Sequence, residues 1–213
     1  MIKFPGMDCV KSDLVHRSIT RRDTSEPPVA GFMDKSGVTL DPYDWRVDKY
    51  ALAYVVRGDG VLVDENDRRH AVSAGDFYQR LPRLRHQVHV NPDSGWRECC
   101  LSVGSGICAP FIEMGVIKTE PNVRRVGVDN ELIRKVWDVK ERLKAAEELD
   151  LPMVLLEILG LIVELHLLHG DMPESEKASR LINAACEYLG KNFRENRDLK
   201  AFCQANGVGY ESF

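Results

Sequence analysis

The 213-residue sequence has no Cys-x-x-Cys pair among its six cysteines, which removes the usual thiol-redox and zinc-ribbon spacings. Those cysteines (Cys9, Cys99, Cys100, Cys108, Cys186, Cys203) sit in a chain long enough to need no disulfide staples. Small buried thiols in a reducing compartment are the simplest account of them. There is no Gly-x-Gly-x-x-Gly or Walker loop, so nucleotide phosphates have no cradle, and no Gly-x-Ser-x-Gly elbow for a serine nucleophile. The start, MIKFPGMDCVKSDLVHR, lacks a basic segment followed by an apolar one, which predicts a cytoplasmic protein. The longest apolar run, Leu151 to Leu168, is broken by Glu157 and Glu164 and reads as a buried helix, with no membrane partner implied. A basic excess is missing too: 29 Lys and Arg against 33 Asp and Glu leave a formal charge of −4. That acidity belongs to the first part of the chain, because from Glu176 onward six Lys/Arg face five Asp/Glu.

What is present divides near Pro121. Before it, short β-type runs recur between turn signals. Lys49–Val56 ends in Arg57-Gly58-Asp59-Gly60, read as a hairpin turn, and a second run begins at Val61. Asp64-Glu65-Asn66-Asp67 is a polar hairpin tip, and Ala74-Gly75-Asp76 marks another turn. His70–Ser73, Phe77–Leu81, His86–Val90 and Trp96–Val103 complete the series, a rhythm that predicts an all-β sandwich or barrel. The segment before residue 30 carries no strong pattern and reads as an exposed tail.

Beyond Pro121 helical periodicity takes over. Cys108–Met114 predicts a short helix and Asn122–Val128 one more strand. Asp129 or Asn130 can cap a helix whose apolar residues Leu132, Val136, Val139, Leu143 and Ala146 alternate in spacing of four and three. Leu151-Pro152 opens a second helix, apolar nearly all round, which must be covered on every side. The two read as an antiparallel dimerisation pair with Leu155, Leu159 and Ile162 in the interface, intramolecular packing being the alternative. Residues 170–176 have linker composition. In the tail, a helix from Ala178 and a second over Leu199–Asn206 precede Gly207, Val208 and Phe213, which is helix-turn-helix grammar.

In this order the parts resemble an AraC-type transcriptional regulator. The matching runs are Tyr54-Val55-Val56-Arg57-Gly58-Asp59-Gly60, Ala74-Gly75-Asp76, Pro82, His86 and Trp96, then Ile182–Phe213. The resemblance implies an α+β chain: an N-terminal cupin-like β-barrel (double-stranded β-helix) over residues 1–120, dimerisation helices over 121–170, and a linker with an incomplete helix-turn-helix domain over 171–213. It implies DNA, a small-molecule effector such as a sugar or organic acid, and a second copy of the chain as partners. For the segment before residue 30 it implies an N-terminal arm that can cover the ligand, the equal alternative to an exposed tail. Gly209, Tyr210, Glu211 and Ser212 would open the recognition helix, with Gly209 standing where the family has a better N-cap. The chain ends at Phe213, before that helix completes two turns, so a truncated reader is expected.

Cupin folds also include metal enzymes. Their ligand pattern, His-x-His with a later Glu and His, is missing from Val61–Arg69, and His86 and His89 fall on opposite faces of a strand. No catalytic residue, metal ligand or cofactor is therefore assigned. A ligand pocket is the better use of the barrel. The resemblance places His86 and Val88 inward on one strand, and Trp96, Glu98 and Cys100 inward on the next. Tyr50 and Tyr54 share a face of an earlier strand. Val88 and Cys100 stand where arabinose-responding relatives contact sugar, which speaks against arabinose itself. A metal-dependent isomerase or dioxygenase, and a ligand-free dimerisation module with these residues as core, are the other readings.

Overall fold

The computed structural model describes residues 11–18, 26–39 and 47–168, with Lys200, Cys203 and Gln204. Among the described residues, nine strands fall into two sheets. Six form the order β1 (Lys11–His16), β2 (Val29–Asp34), β8 (Arg97–Gly104), β3 (Lys49–Arg57), β6 (Asp76–Arg80), β9 (Val123–Arg125). The other three form β5 (Arg69–Ser73), β4 (Asp59–Val63), β7 (Gln87–Val90). Every strand pairing among the described residues is antiparallel. No strand pair among the described residues joins the two sheets, so the barrel expected from the sequence is an open sandwich.

The chain passes between the sheets at its turns. Arg57-Gly58-Asp59-Gly60, expected to be a hairpin, instead carries the backbone from β3 in the large sheet to β4 in the small one. Glycine is needed there: Gly58 has φ of +98°, and a Cβ on Gly60 would lie 2.4 Å from the carbonyl oxygen of His89. Asp64–Asp67 does close the β4–β5 hairpin, its Asp64 carboxylate accepting the Asn66 and Arg68 amides at 2.9 Å. The turn before β6 is held by Asp76, which accepts from the amide and hydroxyl of Ser73. A 3-10 turn over Pro92–Ser94 leads back into β8.

The large sheet is buried on both faces, which explains why β3 reads as a continuous apolar run with little alternation. Its inner face, with β4, β5 and β7, encloses Ala53, Val55, Leu62, Val72, Tyr78, Val88, Val90 and Trp96. Its outer face carries Tyr50, Leu52, Tyr54, Phe77, Cys99, Leu101 and Val103 against α1 (Ser105–Glu113), α2 (Asn130–Ala145) and α3 (Leu151–Leu167). Asp129 caps α2 by accepting the Glu131 and Leu132 amides, and Leu132, Val136, Val139 and Leu143 are buried as the four-three spacing predicts.

The exposed-tail reading of the segment before residue 30 is overturned for its described residues. Lys11–His16 is the edge strand β1, paired through β2 onto the sheet. Arg17 donates to the carbonyls of Leu143, Lys144 and Ala146, filling acceptors that the end of α2 leaves open. Lys140 of α2 pairs with Asp13. The signal lay in tertiary partners rather than in local pattern.

Two compact units divide the chain, residues 1–167 and 168–213. In the second, Lys200, Cys203 and Gln204 are helical and Cys203 is buried. The remaining tail residues singled out by sequence, including Gly209, Tyr210, Glu211 and Ser212, lie outside the described residues. No helix among the described residues is long and apolar enough to cross a membrane.

Candidate functional site

A cavity of about 550 Å³ opens on the inner face of the large sheet. Strand alternation accounts for most of its lining, although Leu52 and Leu101 of the opposite parity also border it. From β1 come Ser12, Leu14 and His16; from β2, Val29 and Met33; from β3, Lys49, Ala51 and Ala53; from β8, Glu98, Cys100 and Ser102. Register confirms the common face, since Gly31 pairs with Cys100, Met33 with Glu98, and Ala51 with both Ser102 and Arg80. Arg80 from β6, His86 just before β7, and Glu26 and Asp48 from the segments before β2 and β3 add further polar groups to the wall. Aliphatic surface with a few charged and hydroxyl groups is the composition of a small-molecule site.

Glu98 is the electrostatic centre of this face. It is 1% exposed, and its Oε1 lies 2.6 Å from Nζ of Lys35, which is itself fully buried. Its Oε2 accepts from Tyr78 Oη and Trp96 Nε1, both at 2.8 Å. The Cys100 thiol points at Oε1 from 3.5 Å. A carboxylate so occupied has spent its acceptor sites on the protein, and its role is to fix Tyr78, Trp96 and Lys35 in place. Lys35 also lies 6.0 Å from the Trp96 ring centroid. Lys35 escaped the sequence reading because Asp34-Lys35-Ser36-Gly37 looks like a solvated turn. Arg80 stacks over the Tyr78 ring at 5.7 Å and was missed for a similar reason, as the last residue of a short strand. The Ser102 hydroxyl is buried without a hydrogen-bond partner.

The site residues expected from sequence are placed unequally. His86, Glu98 and Cys100 line the cavity. Val88 and Trp96 point into the sandwich but belong to its packed core, away from the cavity wall. Tyr50 and Tyr54 share a face as expected, but it is the opposite one, turned to the helices. Tyr54 Oη donates to the Gly127 carbonyl at 2.6 Å and accepts the Asp129 amide, tying the sheet to the start of α2. Burial pushes its phenol up to about 12. Tyr50 Oη donates to Gln79 Oε1 at 3.1 Å and lies 2.8 Å from His166 Nε2 of α3. In the dimerisation set, Leu159 and Ile162 are 5% and 0% exposed and pack in the chain's own core, with Leu155 partly buried beside them. The α3 surface left uncovered carries Met153, Leu156, Gly160 and Leu167, with Val163 partly buried.

Nucleophilic chemistry has no support in this wall. Burial and the nearby Glu98 charge push the Cys100 thiol well up and Cys99 to about 12, so neither thiolate is available near neutral pH. Among the described residues no group of three or more His, Cys, Asp or Glu side chains is placed to hold a metal ion. The metal of the cupin enzymes therefore finds no fitting donor set there.

Similarity to known proteins can be set against this geometry. A search of curated proteins gives no match. Among solved structures, unsaturated fatty acid bound ToxT from Vibrio cholerae strain SCE256 shares 14% identity over 91% of this chain and 78% of its own, at a TM-score of 0.38. The Clostridium difficile EutQ protein shares 20% identity over 37% of this chain, which spans 57% of EutQ, at a TM-score of 0.31. The Schizosaccharomyces pombe Cnp3 cupin domain shares 10% identity over 50% of this chain and 74% of its own, at a TM-score of 0.34. Residues 44–184 match the family described as the AraC-like ligand binding domain, and that stretch holds β3 to β9, all three helices and most of the cavity wall. With its two sheets and flanking helices, this α+β, cupin-like chain belongs to the AraC-like ligand binding domain family.

Proposed function

We propose that the protein is a ligand-responsive transcriptional regulator of the AraC class, whose cavity takes a small-molecule effector. The observation that carries this reading is the cavity itself, about 550 Å³ within the AraC-like ligand binding domain. Arg80, His86 and Ser102 supply polar contacts, while Leu14, Val29 and Met33 supply apolar area. A sugar or an organic acid fits that mixture, with the aliphatic wall taking the carbon skeleton. Residues 171–213 would contribute the opening of a DNA-reading unit, with residues 1–120 as sensor and 121–170 as dimerisation helices.

Dimerisation uses α3 through a face other than the one expected from sequence. Met153, Leu156, Gly160, Val163 and Leu167 recur at spacings of three and four, which makes a continuous seam along the helix. Met153, Leu156 and Leu167 are each about 60% exposed in the single chain, so the seam is uncovered there. A second copy would bury it.

The test is a thermal-shift screen with pentoses, hydroxy acids, aromatic acids and an unsaturated fatty acid, followed by DNA-fragment retention with and without each stabilising compound. A ligand that binds the folded state raises its melting temperature by mass action, and it changes DNA retention only if it prefers one arrangement of the subunits. No stabilisation by any class would leave a ligand-free dimerisation module. Stoichiometric iron, manganese, nickel or zinc lost on His86→Ala would favour the metal-enzyme reading instead.

A further inference from the structure

Between the cavity and α3 lies a polar cluster inside an otherwise apolar layer. Tyr50 of β3 and Gln79 of β6 stand on the outer face of the large sheet, and His166 stands in the last turn of α3; all three are buried. The hydrogen bonds fix one another. Gln79 Nε2 donates to the carbonyls of Lys118 at 2.9 Å and Thr119 at 2.8 Å, so its Oε1 must be the atom facing Tyr50. Tyr50 therefore donates to Gln79, and its oxygen accepts a hydrogen bond from His166 Nε2–H. The imidazole is thereby held as the neutral Nε2–H tautomer. Its Nδ1 is buried with no hydrogen-bond partner, and Arg124 and Lys118 oppose any positive charge on the ring.

Each sheet member of this cluster adjoins at least one cavity residue along its strand. Tyr50 is flanked along β3 by Lys49 and Ala51, and Gln79 is followed by Arg80, which pairs directly with Ala51. A change in the position of β3 or β6 on the cavity side must move Tyr50 or Gln79 on the other, because adjacent residues share a peptide unit. The His166 end is two residues from where the first compact unit gives way to the second.

We infer that Tyr50, Gln79 and His166 are the positioning residues that couple occupancy of the cavity to the C-terminal turns of α3. The inference rests on the cavity being the effector site, and it assigns the cluster the task of passing its state toward the second unit. The bonds hold one arrangement, so a shift of β6 against α3 either carries the helix with it or breaks the Tyr50 contacts. That gives the layer two discrete states, as a coupling element requires.

The test needs no ligand. In the full chain, Ala51→Leu fills the cavity from β3, and Val29→Leu fills it from β2, whose side chains do not enter the cluster. Readouts are the His166 ring nitrogen resonances and amide hydrogen exchange across residues 158–167. Ala51→Leu is expected to shift the His166 resonances and alter exchange by about twofold or more, within the range of measured couplings, with little response to Val29→Leu. In a Tyr50→Phe background, which keeps the ring and removes the oxygen, the response to Ala51→Leu should vanish. Gln79→Met serves the same purpose if Tyr50→Phe fails to fold. An undiminished response in these backgrounds, or silence of α3 to Ala51→Leu in the parent chain, overturns the inference. Because occupancy is imposed by substitution, a cavity that never bound an effector would fail the thermal-shift screen while leaving this result intact.

Discussion

Replacing Lys35 by Met is the sharpest perturbation of the inner face. The ammonium and the Glu98 carboxylate are separated by 2.6 Å, with side chains 0% and 1% exposed. Neither can turn to water when its partner is removed. Loss of the cation leaves a buried carboxylate with three remaining donors, Tyr78, Trp96 and the weak Cys100 thiol. Breaking a buried pair from one side costs about 3–5 kcal/mol, well above the roughly 0–1 kcal/mol of an exposed pair. Glu98→Gln should fall in the same range, since it removes the charge facing the buried Lys35 ammonium and turns an amide NH2 toward donors. Lys35→Met with Glu98→Gln removes both charges and keeps one carbonyl acceptor. Its cost should therefore be smaller than the sum of the singles by about 2 kcal/mol or more, a coupling typical of contacting residues. Urea denaturation at pH 7, fitted for midpoint and slope, measures all three. A Lys35→Met cost below about 1 kcal/mol, the value of a surface pair, would refute the assignment of Glu98 as a buried electrostatic centre.

Acidification and helix substitutions test other parts of the account. Burial, with Arg124 and Lys118 nearby, lowers His166 to about 4 from an ordinary value of 6.5. The folded state therefore binds fewer protons than the unfolded one between these values. The stability from neutral His166 is complete above pH 6.5 and is lost as pH falls toward 4. Between pH 7 and pH 5 the loss is about 2 kcal/mol, and a His166→Phe protein should lack that part of the slope in urea titrations. For the helix, Leu156→Glu should leave a folded monomer in sedimentation or light scattering, whereas Leu159→Glu should fail to fold because Leu159 is 5% exposed. A folded, dimeric Leu156→Glu protein places the interface elsewhere.

Much of the core element series was legible because turn chemistry and period are local. Lys49–Val56, the Asp64–Asp67 tip and the Asp129 cap all appear where residue type demands them. Strands β1 and β2 were not legible, since β2 is held by pairing with β8, and β1 by pairing with β2 and by Arg17 and Asp13 gripping α2. Parity told which residues share a face but not which face meets the cavity. Thus Glu98 and Cys100 line it while Tyr50 and Tyr54 face helices, because a sheet buried on both sides shows apolar residues at both parities. The greasy helix α3 misled for a related reason. Its composition predicts cover on all sides, but only the burial pattern separates Leu159, inside the chain, from Leu156, at its surface. Lys35 was invisible because its ion pair with Glu98 joins residues distant in sequence.

The most direct measurement of the central claim is titration calorimetry of the best stabilising compound against the parent protein and Val29→Trp. Val29 stands on the cavity wall and is 3% exposed, so an indole there occupies ligand space. Saturable binding at one site per chain is expected in the parent, and its loss in a folded Val29→Trp protein. At a hundredfold excess over the dissociation constant, the parent should also gain about 2.7 kcal/mol of stability. Equal binding by both proteins would place the effector outside the cavity and contradict the account.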